Sequence, residues 1–320
     1  MKGATAPPAA LFDQARDGNR RALGRLLSMV ERGGAVADEV ATLAHPLAGN
    51  AFVIGMTGAP GAGKSTLTGR LTAALCEGGR RVAVLAIDPT SPLSGGAILG
   101  DRIRMDGVVP DQVFIRSMAT RGHHGGLALA APAMLRVFDA AGIDVVVVET
   151  VGVGQVEIEV VSAADTTVVV VTPGWGDAIQ ANKAGLLELA DVFVVNKADR
   201  PGARDARRDL EYMLDLGPAA HDPSRWRAPI VSTTATDGTG IGDLAGAIER
   251  HRTWMAEHGE LDRRRAHRLR DEVRSHALAL LALATDERLA SAQGVALLAE
   301  VTARRLTPAA AARTLLDTDI

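Results

Sequence analysis

A single cysteine, Cys76, stands in 320 residues. That excludes an intramolecular disulfide and a thiolate cluster for structural zinc, and it makes a reducing compartment the natural setting. Surplus charge is also missing: 35 Lys and Arg against 38 Asp and Glu leave a formal net charge of -3, without the basic excess that sequence-independent nucleic-acid binding requires. The one local basic run, Arg263-Arg264-Arg265 with Arg268 and Arg270, is interleaved with Asp262, Asp271 and Glu272. It reads as a solvated helix face rather than a polyanion site. No hydrophobic run approaches the roughly 20 residues a bilayer-spanning helix needs. The first residues, MKGATAPPAALFDQ, lack the apolar centre of a signal peptide. The expectation is a cytoplasmic protein with neither nucleic acid nor membrane as partner. No internal repeat is evident.

What the chain does contain is apolar content, 47% of it, enough for a sizeable core. Short β-branched runs at residues 81–87, 143–148, 166–171, 192–195 and 229–231 are hydrophobic on successive positions, as parallel strands covered on both faces are. Helix-like segments near 66–78, 127–141, 177–190, 203–216 and 241–257 lie between them. This alternation predicts an α/β fold with a doubly wound, mostly parallel sheet whose ligands bind at the carboxyl ends of the strands. Residues 8–32 place Leu23, Leu26, Leu27 and Val30 at helical spacing. From about residue 260 the chain turns Ala-, Leu- and Arg-rich, and Thr307-Pro308 makes a good cap and first-turn pair for a last short helix. The expected organisation is an N-terminal helical extension over 1–48, a nucleotide-binding domain over 49–258 and a C-terminal helical extension over 259–320.

The apolar run Ala51 to Ile54 leads into GMTGAPGAGKSTL, Gly55 to Leu67. Gly58, Gly63, Lys64 and Ser65 fit G-x-x-x-x-G-K-[ST], with a strand-like run before and a helix-like segment after, which is the context the motif requires. In such a cradle, here Gly58-Ala59-Pro60-Gly61-Ala62-Gly63-Lys64-Ser65-Thr66, glycines let the backbone curl. Peptide N–H groups then point inward at a helix N-terminus, where the macrodipole favours an anion. Lys64 adds a point charge on the β- and γ-phosphates, and the Ser65 hydroxyl reaches Mg²⁺. The bland alternative is an ordinary Gly-rich strand-to-helix turn, and other segments must decide.

Four further segments sit at predicted strand ends. In VVVVETVG, buried valines present Glu149 rigidly, to hold Mg²⁺ directly or through water, while the Gly152 N–H approaches a γ-phosphate. A carboxylate after a valine run is also common without any such role. In IDPTSPLSGGAILGDRIRM, Asp88 ends a strand and a Gly/Pro/Ser-rich loop leads to Asp101; a γ-phosphate with its metal orders such switch loops, although Asp88 reads equally as a turn cap. In NKAD, Asp199 can accept both N1–H and N2–H₂ of guanine, where adenine would oppose it with a lone pair. Asn196 buttresses that loop and Lys197 lies along the base plane. In STTA, Ser232 to Ala235, a backbone N–H near Thr234 and Ala235 is placed for guanine O6. Together these segments predict GTP or GDP with Mg²⁺ rather than ATP.

The wording and order of GAPGAGKST, DPTSPLSGGAILGDRIRM, ETVGVGQVE, PGWGDAIQANKAG and NKAD resemble the P-loop GTPase family of MeaB, ArgK and the human methylmalonic aciduria type A protein. The resemblance runs over nearly the whole chain, including TPAAAARTLL near its end. It implies a GTP-dependent chaperone of an adenosylcobalamin-dependent acyl-CoA mutase, methylmalonyl-CoA mutase or a relative, homodimeric through the helical extensions. It puts Lys64 and Ser65 on phosphate and metal, gathers Asp88, Asp101 and Glu149 around the metal and the attacking water, and gives Gln180 and Lys183, in the loop Gly174 to Lys183, a partner-responsive role. Two positions depart from the family pattern: Val156 where Ser is common and His124 where Leu is usual. No D-x-H-x-x-G cobalamin motif is recognisable, which places that cofactor on the partner.

No strong general base stands out, and Gln155 lies three positions beyond Gly152. A missing water-orienting or cationic group slows hydrolysis by a factor of roughly 10³–10⁵, so slow intrinsic turnover is predicted. Two other readings stay open at this level: a small-molecule kinase of the ArgK type, and an interaction module that binds nucleotide without hydrolysing it.

Overall fold

The computed structural model describes residues 6–89, 110, 112–120, 126–150, 163–174, 190–220, 222 and 224–317, with only the backbone described at residues 88, 89, 119, 120, 126–129, 218 and 317. The apolar runs form a seven-stranded sheet among these residues: β1 (Phe52–Gly58), β2 (Val82–Pro89), β3 (Phe114–Thr120), β4 (Val145–Thr150), β5 (Thr166–Val171), β6 (Val192–Asn196) and β7 (Ile230–Thr233). The strand order is β3-β2-β4-β1-β5-β6-β7, and each pairing is parallel.

Consecutive valines serve two faces at once. On β4, Val146 and Val148 join one core with Ala83, Leu85 and Val53. Val145 and Val147 join the other with Ile54, Met56, Val168 and Val194. Side chains alternate across a strand, so an uninterrupted apolar run is what a strand sandwiched between helices requires.

The helices covering the first face are α1 (Pro8–Arg16), α2 (Arg20–Arg32), α3 (Ala35–Ala44) and α5 (Gly126–Ala140). Leu23, Leu26, Leu27 and Val30 on α2 are buried with Met134 and Phe138 of α5. Asn19 ends the turn between α1 and α2 and caps α2 by accepting from the N–H groups of Arg21 and Ala22. The second face carries α4 (Lys64–Glu77) and α7 (Ile241–Glu257), which pack on each other. Past β6 lies α6 (Ala203–Leu216), and the chain ends in α8 (Glu260–Ala290), α9 (Ala292–Thr302) and α10 (Pro308–Asp317). Thr307 caps α10 through its hydroxyl, 3.2 Å from the Ala310 N–H.

Strand β3 has no counterpart among the apolar runs of the sequence. Among the described residues it lies at an edge and pairs with β2. Its mixed texture is fitted to the helices over it: Arg116 pairs with Glu31 of α2, Phe114 meets Phe138 of α5 edge-on at 5.8 Å, and Arg20 of α2 lies over the Phe114 ring at 5.4 Å.

The arginine run corrects an expectation in part: Arg263 and Arg270 are exposed, as on a solvated face, but Arg264, Arg265 and Arg268 turn onto buried carboxylates. Asp165 and Asp191 stand just before β5 and β6, both buried. Asp165 accepts from the Val53 N–H (2.9 Å) and pairs with Arg265 (2.9 Å) and with Arg268. Asp191 accepts from the Thr167 N–H (2.9 Å) and takes both ends of the Arg264 fork at 2.9 Å each. The first turns of α8 thus fasten the amino-terminal edge of the sheet. Two compact units divide within α8, Met1–Arg268 and Leu269–Ile320, and all three of these arginines belong to the first.

Candidate functional site

At the opposite, carboxyl-terminal edge the chain leaves β1 at Gly58, with φ of +142°. A Cβ there would lie 2.1 Å from the Val170 carbonyl oxygen, so only glycine allows β1 to run this close to β5 and then turn. At the far end of the loop Gly63 has φ of +88° and caps α4. Between them the loop places a helix N-terminus, with its unpaired N–H groups, at the strand ends.

Two loop side chains are committed inward. Lys64 is buried, and its ammonium donates to the carbonyls of Gly58 (2.8 Å) and Ala59 (3.1 Å). Its charge therefore lies against the loop rather than in solvent. Ser65 donates from Oγ to Oε1 of Glu149 at 2.6 Å. Glu149 is buried at the end of β4 and held in register between Met56 and Ala86. A serine hydroxyl and a carboxylate converging beside a phosphate cradle are the hard oxygen donors that Mg²⁺ selects, so the residues present fit that ion.

The NKAD loop is built onto the same cradle. Asn196, buried at the end of β6, donates from Nδ2 to the Ala62 carbonyl (2.8 Å) and accepts at Oδ1 from the Thr233 hydroxyl (3.1 Å) and the Ala235 N–H (3.2 Å). One amide thereby joins the phosphate loop, β6 and the turn after β7. A Cβ at residue 63 would come within 2.5 Å of that Nδ2. Lys197 adopts φ of +57° and donates from Nζ to the Gly61 carbonyl at 2.7 Å. The Ala198 N–H donates to the Thr233 carbonyl at 3.0 Å, and Asp199 follows with its carboxylate exposed. Thr234 and Ala235 are buried in the turn after β7.

The structure thus brings together Gly58 to Thr66, Glu149, Asn196, Lys197, Asp199, Thr234 and Ala235 along one edge of the sheet. The side chain of Asp88 and the whole of Asp101, Gly152, Gln180 and Lys183 lie outside the described residues, as do His124, Gln155 and Val156. Sequence reasoning passed over Thr233, whose hydroxyl completes the Asn196 junction, and Arg70, which reaches from α4 to the carbonyls of Ala235 (3.2 Å) and Thr236 (2.8 Å). Thr233 could have been found within STTA as a hydroxyl beside a strand end; Arg70 carries no comparable signal.

Comparison with known proteins identifies the family. The family model described as methylmalonyl Co-A mutase-associated GTPase MeaB matches residues 23–288. A Pyrococcus abyssi protein named as a GTPase is 44% identical over 307 residues, 96% of this chain and 95% of its own. The fused isobutyryl-CoA mutase of Cupriavidus metallidurans is 41% identical over 197 residues, 60% of this chain and 18% of that protein. Among solved structures, that of an LAO/AO transport system kinase aligns with a TM-score of 0.72 and 27% identity over 99% of this chain and 98% of its own.

Proposed function

Because the chain belongs to the MeaB family of methylmalonyl Co-A mutase-associated GTPases, we propose that it binds GTP with Mg²⁺, hydrolyses it slowly alone, and acts as a metallochaperone. In this reading its nucleotide states gate adenosylcobalamin loading or protection of an acyl-CoA mutase. The observation that carries the reading is the Asn196 junction. By bonding Ala62 and Ala235 at once, it makes the phosphate cradle and the base-reading loops one rigid cleft, with Asp199 at its rim.

Within that cleft the loop N–H groups and the Lys64 ammonium hold the triphosphate, and Ser65 with Glu149 would hold Mg²⁺. Bound there, the ion supplies charge neutralisation at the β- and γ-phosphates. Asp199 selects guanine through N1–H and N2–H₂, because a carboxylate left facing adenine's lone pair is an uncompensated charge. As the family resemblance implies, Asp88 and Asp101 would complete the acidic set, Gly152 would approach the γ-phosphate, and Gln180 and Lys183 would respond to the docked partner.

A mutase as partner is supported by the family description and by the relative in which a similar segment forms part of a protein named for isobutyryl-CoA mutase. Nucleotide can drive such gating only by its difference in affinity between two states, so partner and nucleotide must each alter the other's binding. Phosphate release from GTP is expected to be slow and to rise when purified acyl-CoA mutase from the same organism is added. A rate indifferent to every such mutase defeats the chaperone reading. GTP left intact for hours with partner present favours a nucleotide-binding module, and phosphate recovered on an amino acid favours a kinase.

A further inference from the structure

Given the mutase reading above, on which this depends, we infer that α8 carries a second docking face, opposite its exposed apolar row. That face receives the acyl-CoA mutase through a small apolar patch of the mutase bordered by carboxylates.

A helix advances about 100° per residue, so Leu269, Val273, Leu280 and Leu283, all exposed, form one row along α8. Leu278 and Leu281, each 57% exposed, fall roughly 150° round the helix from that row. The half-buried Leu289 continues their line. The line ends at the elbow into α9, where Gly294 comes so near that a Cβ would lie 2.5 Å from the Leu289 carbonyl oxygen. Toward the amino end of α8 it runs into Arg274, with Arg270 along its border; both are exposed and form no ion pair among the described residues. Asp271, on the other border, already has a partner within the chain.

Geometry and charge select the occupant. Two helices that pair by two-fold symmetry through the longer row turn their opposite faces outward, so a copy that covers one line leaves the other clear. A copy docked on the second line would meet its own charge. Packed antiparallel about Leu281, Arg274 of each chain faces Arg288 of the other; packed parallel, Arg274 faces Arg274. Like charges brought together oppose association. The second line is also short, about 16 Å from Leu278 to Leu289, whereas a stable interface buries on the order of 1,200–2,000 Å² in total. Such a face suits a partner that comes and goes. A protein with carboxylates beside apolar side chains covers the leucines and pairs the arginines in one contact.

The test compares wild type, Leu278→Asp with Leu281→Asp, and Arg270→Glu with Arg274→Glu. Each is loaded with a non-hydrolysable GTP analogue and titrated with purified acyl-CoA mutase from the same organism, while light scattering and basal GTP hydrolysis are read in parallel. Both variants are expected to keep the wild-type oligomeric state and basal rate, while mutase affinity falls by about tenfold or more and stimulated hydrolysis falls with it. The arginine reversal should also flatten the salt dependence of mutase binding. Because Arg270 and Arg274 are exposed, that variant still decides the matter where two aspartates unsettle α8. Leucine variants that separate into monomers from a wild-type dimer would assign the face to a second copy and overturn the inference, as would unchanged mutase affinity in the arginine variant. Mutase that neither binds nor stimulates the wild type would defeat the mutase reading itself, and this inference with it.

Discussion

At the scale of single residues, the site turns on Asn196, which satisfies three backbone or hydroxyl partners from one buried amide. Removing it leaves the buried Ala62 carbonyl and Ala235 N–H without their partner, and each such orphan costs roughly 1–3 kcal/mol. Asn196→Ala is therefore expected to lower unfolding free energy by about 3 kcal/mol in urea titrations and to abolish measurable GTP binding. Asn196→Asp is the sharper comparison. It keeps the shape and the two accepted hydrogen bonds but turns a carboxylate oxygen toward the Ala62 carbonyl, so it should be at least as damaging; an aspartate variant close to wild type would remove Asn196 from its central place. The meeting of Lys64, Ser65 and Asn196 at one sheet edge was legible in the sequence because their motifs fix them at strand ends. Arg70 was not legible, because an arginine on a helix says nothing of which carbonyls it will meet until α4 and the turn after β7 are placed side by side.

At the scale of elements, strands β5 and β6 are held at both ends. Their carboxyl ends carry the segments toward Gly174 and NKAD, and their amino ends are fastened by Asp165 and Asp191 to the arginines of α8. Burial alone would push the Asp165 carboxyl upward, but hydrogen bonds and charge from Arg265 and Arg268 more than offset it and hold it below the usual carboxylate range. His251 on α7 completes this cluster, with Nδ1 2.8 Å from the Thr166 hydroxyl and Nε2 3.3 Å from Asp191 Oδ1. Burial pushes its pKa down from 6.5 to about 4; the Asp191 charge resists that shift, and among the remaining neighbours Arg264 deepens it while Glu260 and Asp165 oppose it. The unfolded histidine takes up a proton near pH 6.5 and the folded one only near pH 4, so His251 stabilises the fold above that window and loses its contribution as pH falls through it. Over this interval the loss is on the order of 3 kcal/mol, read from urea unfolding at a series of pH values. His251→Gln should start less stable at neutral pH and show a much flatter decline between pH 6.5 and 4; an identical slope in both proteins would assign the acid sensitivity elsewhere. The buried valine strands were legible because burial on both faces leaves no polar position to hide them. Strand β3 was not, since an edge strand facing Arg20 and Glu31 carries mixed polarity, and the arginine run looked solvated because its partners lie far upstream in separate loops, Asp165 100 residues before Arg265 and Asp191 73 residues before Arg264.

At the scale of the molecule, the two compact units differ in how they treat apolar side chains. In the unit Met1–Arg268 the large aliphatic residues of the five inner strands are buried, and Ile115 and Ile230 on the two edge strands are half-buried. In the unit Leu269–Ile320, Val273 is 70% and Leu280 67% exposed, with Leu269 and Leu283 exposed on the same helical spacing along α8. An exposed apolar row of this length suits a contact surface, and the homodimer expected from the sequence would make a second copy of the chain its occupant. A stable interface of that kind buries on the order of 1,200–2,000 Å² in total. Wild-type protein is therefore expected to elute as a dimer by light scattering at micromolar concentration, with a melting temperature that rises with concentration. Replacing Val273 and Leu280 together by Asp should give a monomer that still binds GTP with wild-type affinity, because Lys64, Ser65, Glu149, Asn196 and Asp199 all lie in the other unit. Loss of GTP binding in that monomer would mean that the cleft depends on the partner copy. A wild type that is monomeric throughout would leave the apolar row to the mutase, and the double variant should then lose mutase-stimulated hydrolysis while keeping its basal rate.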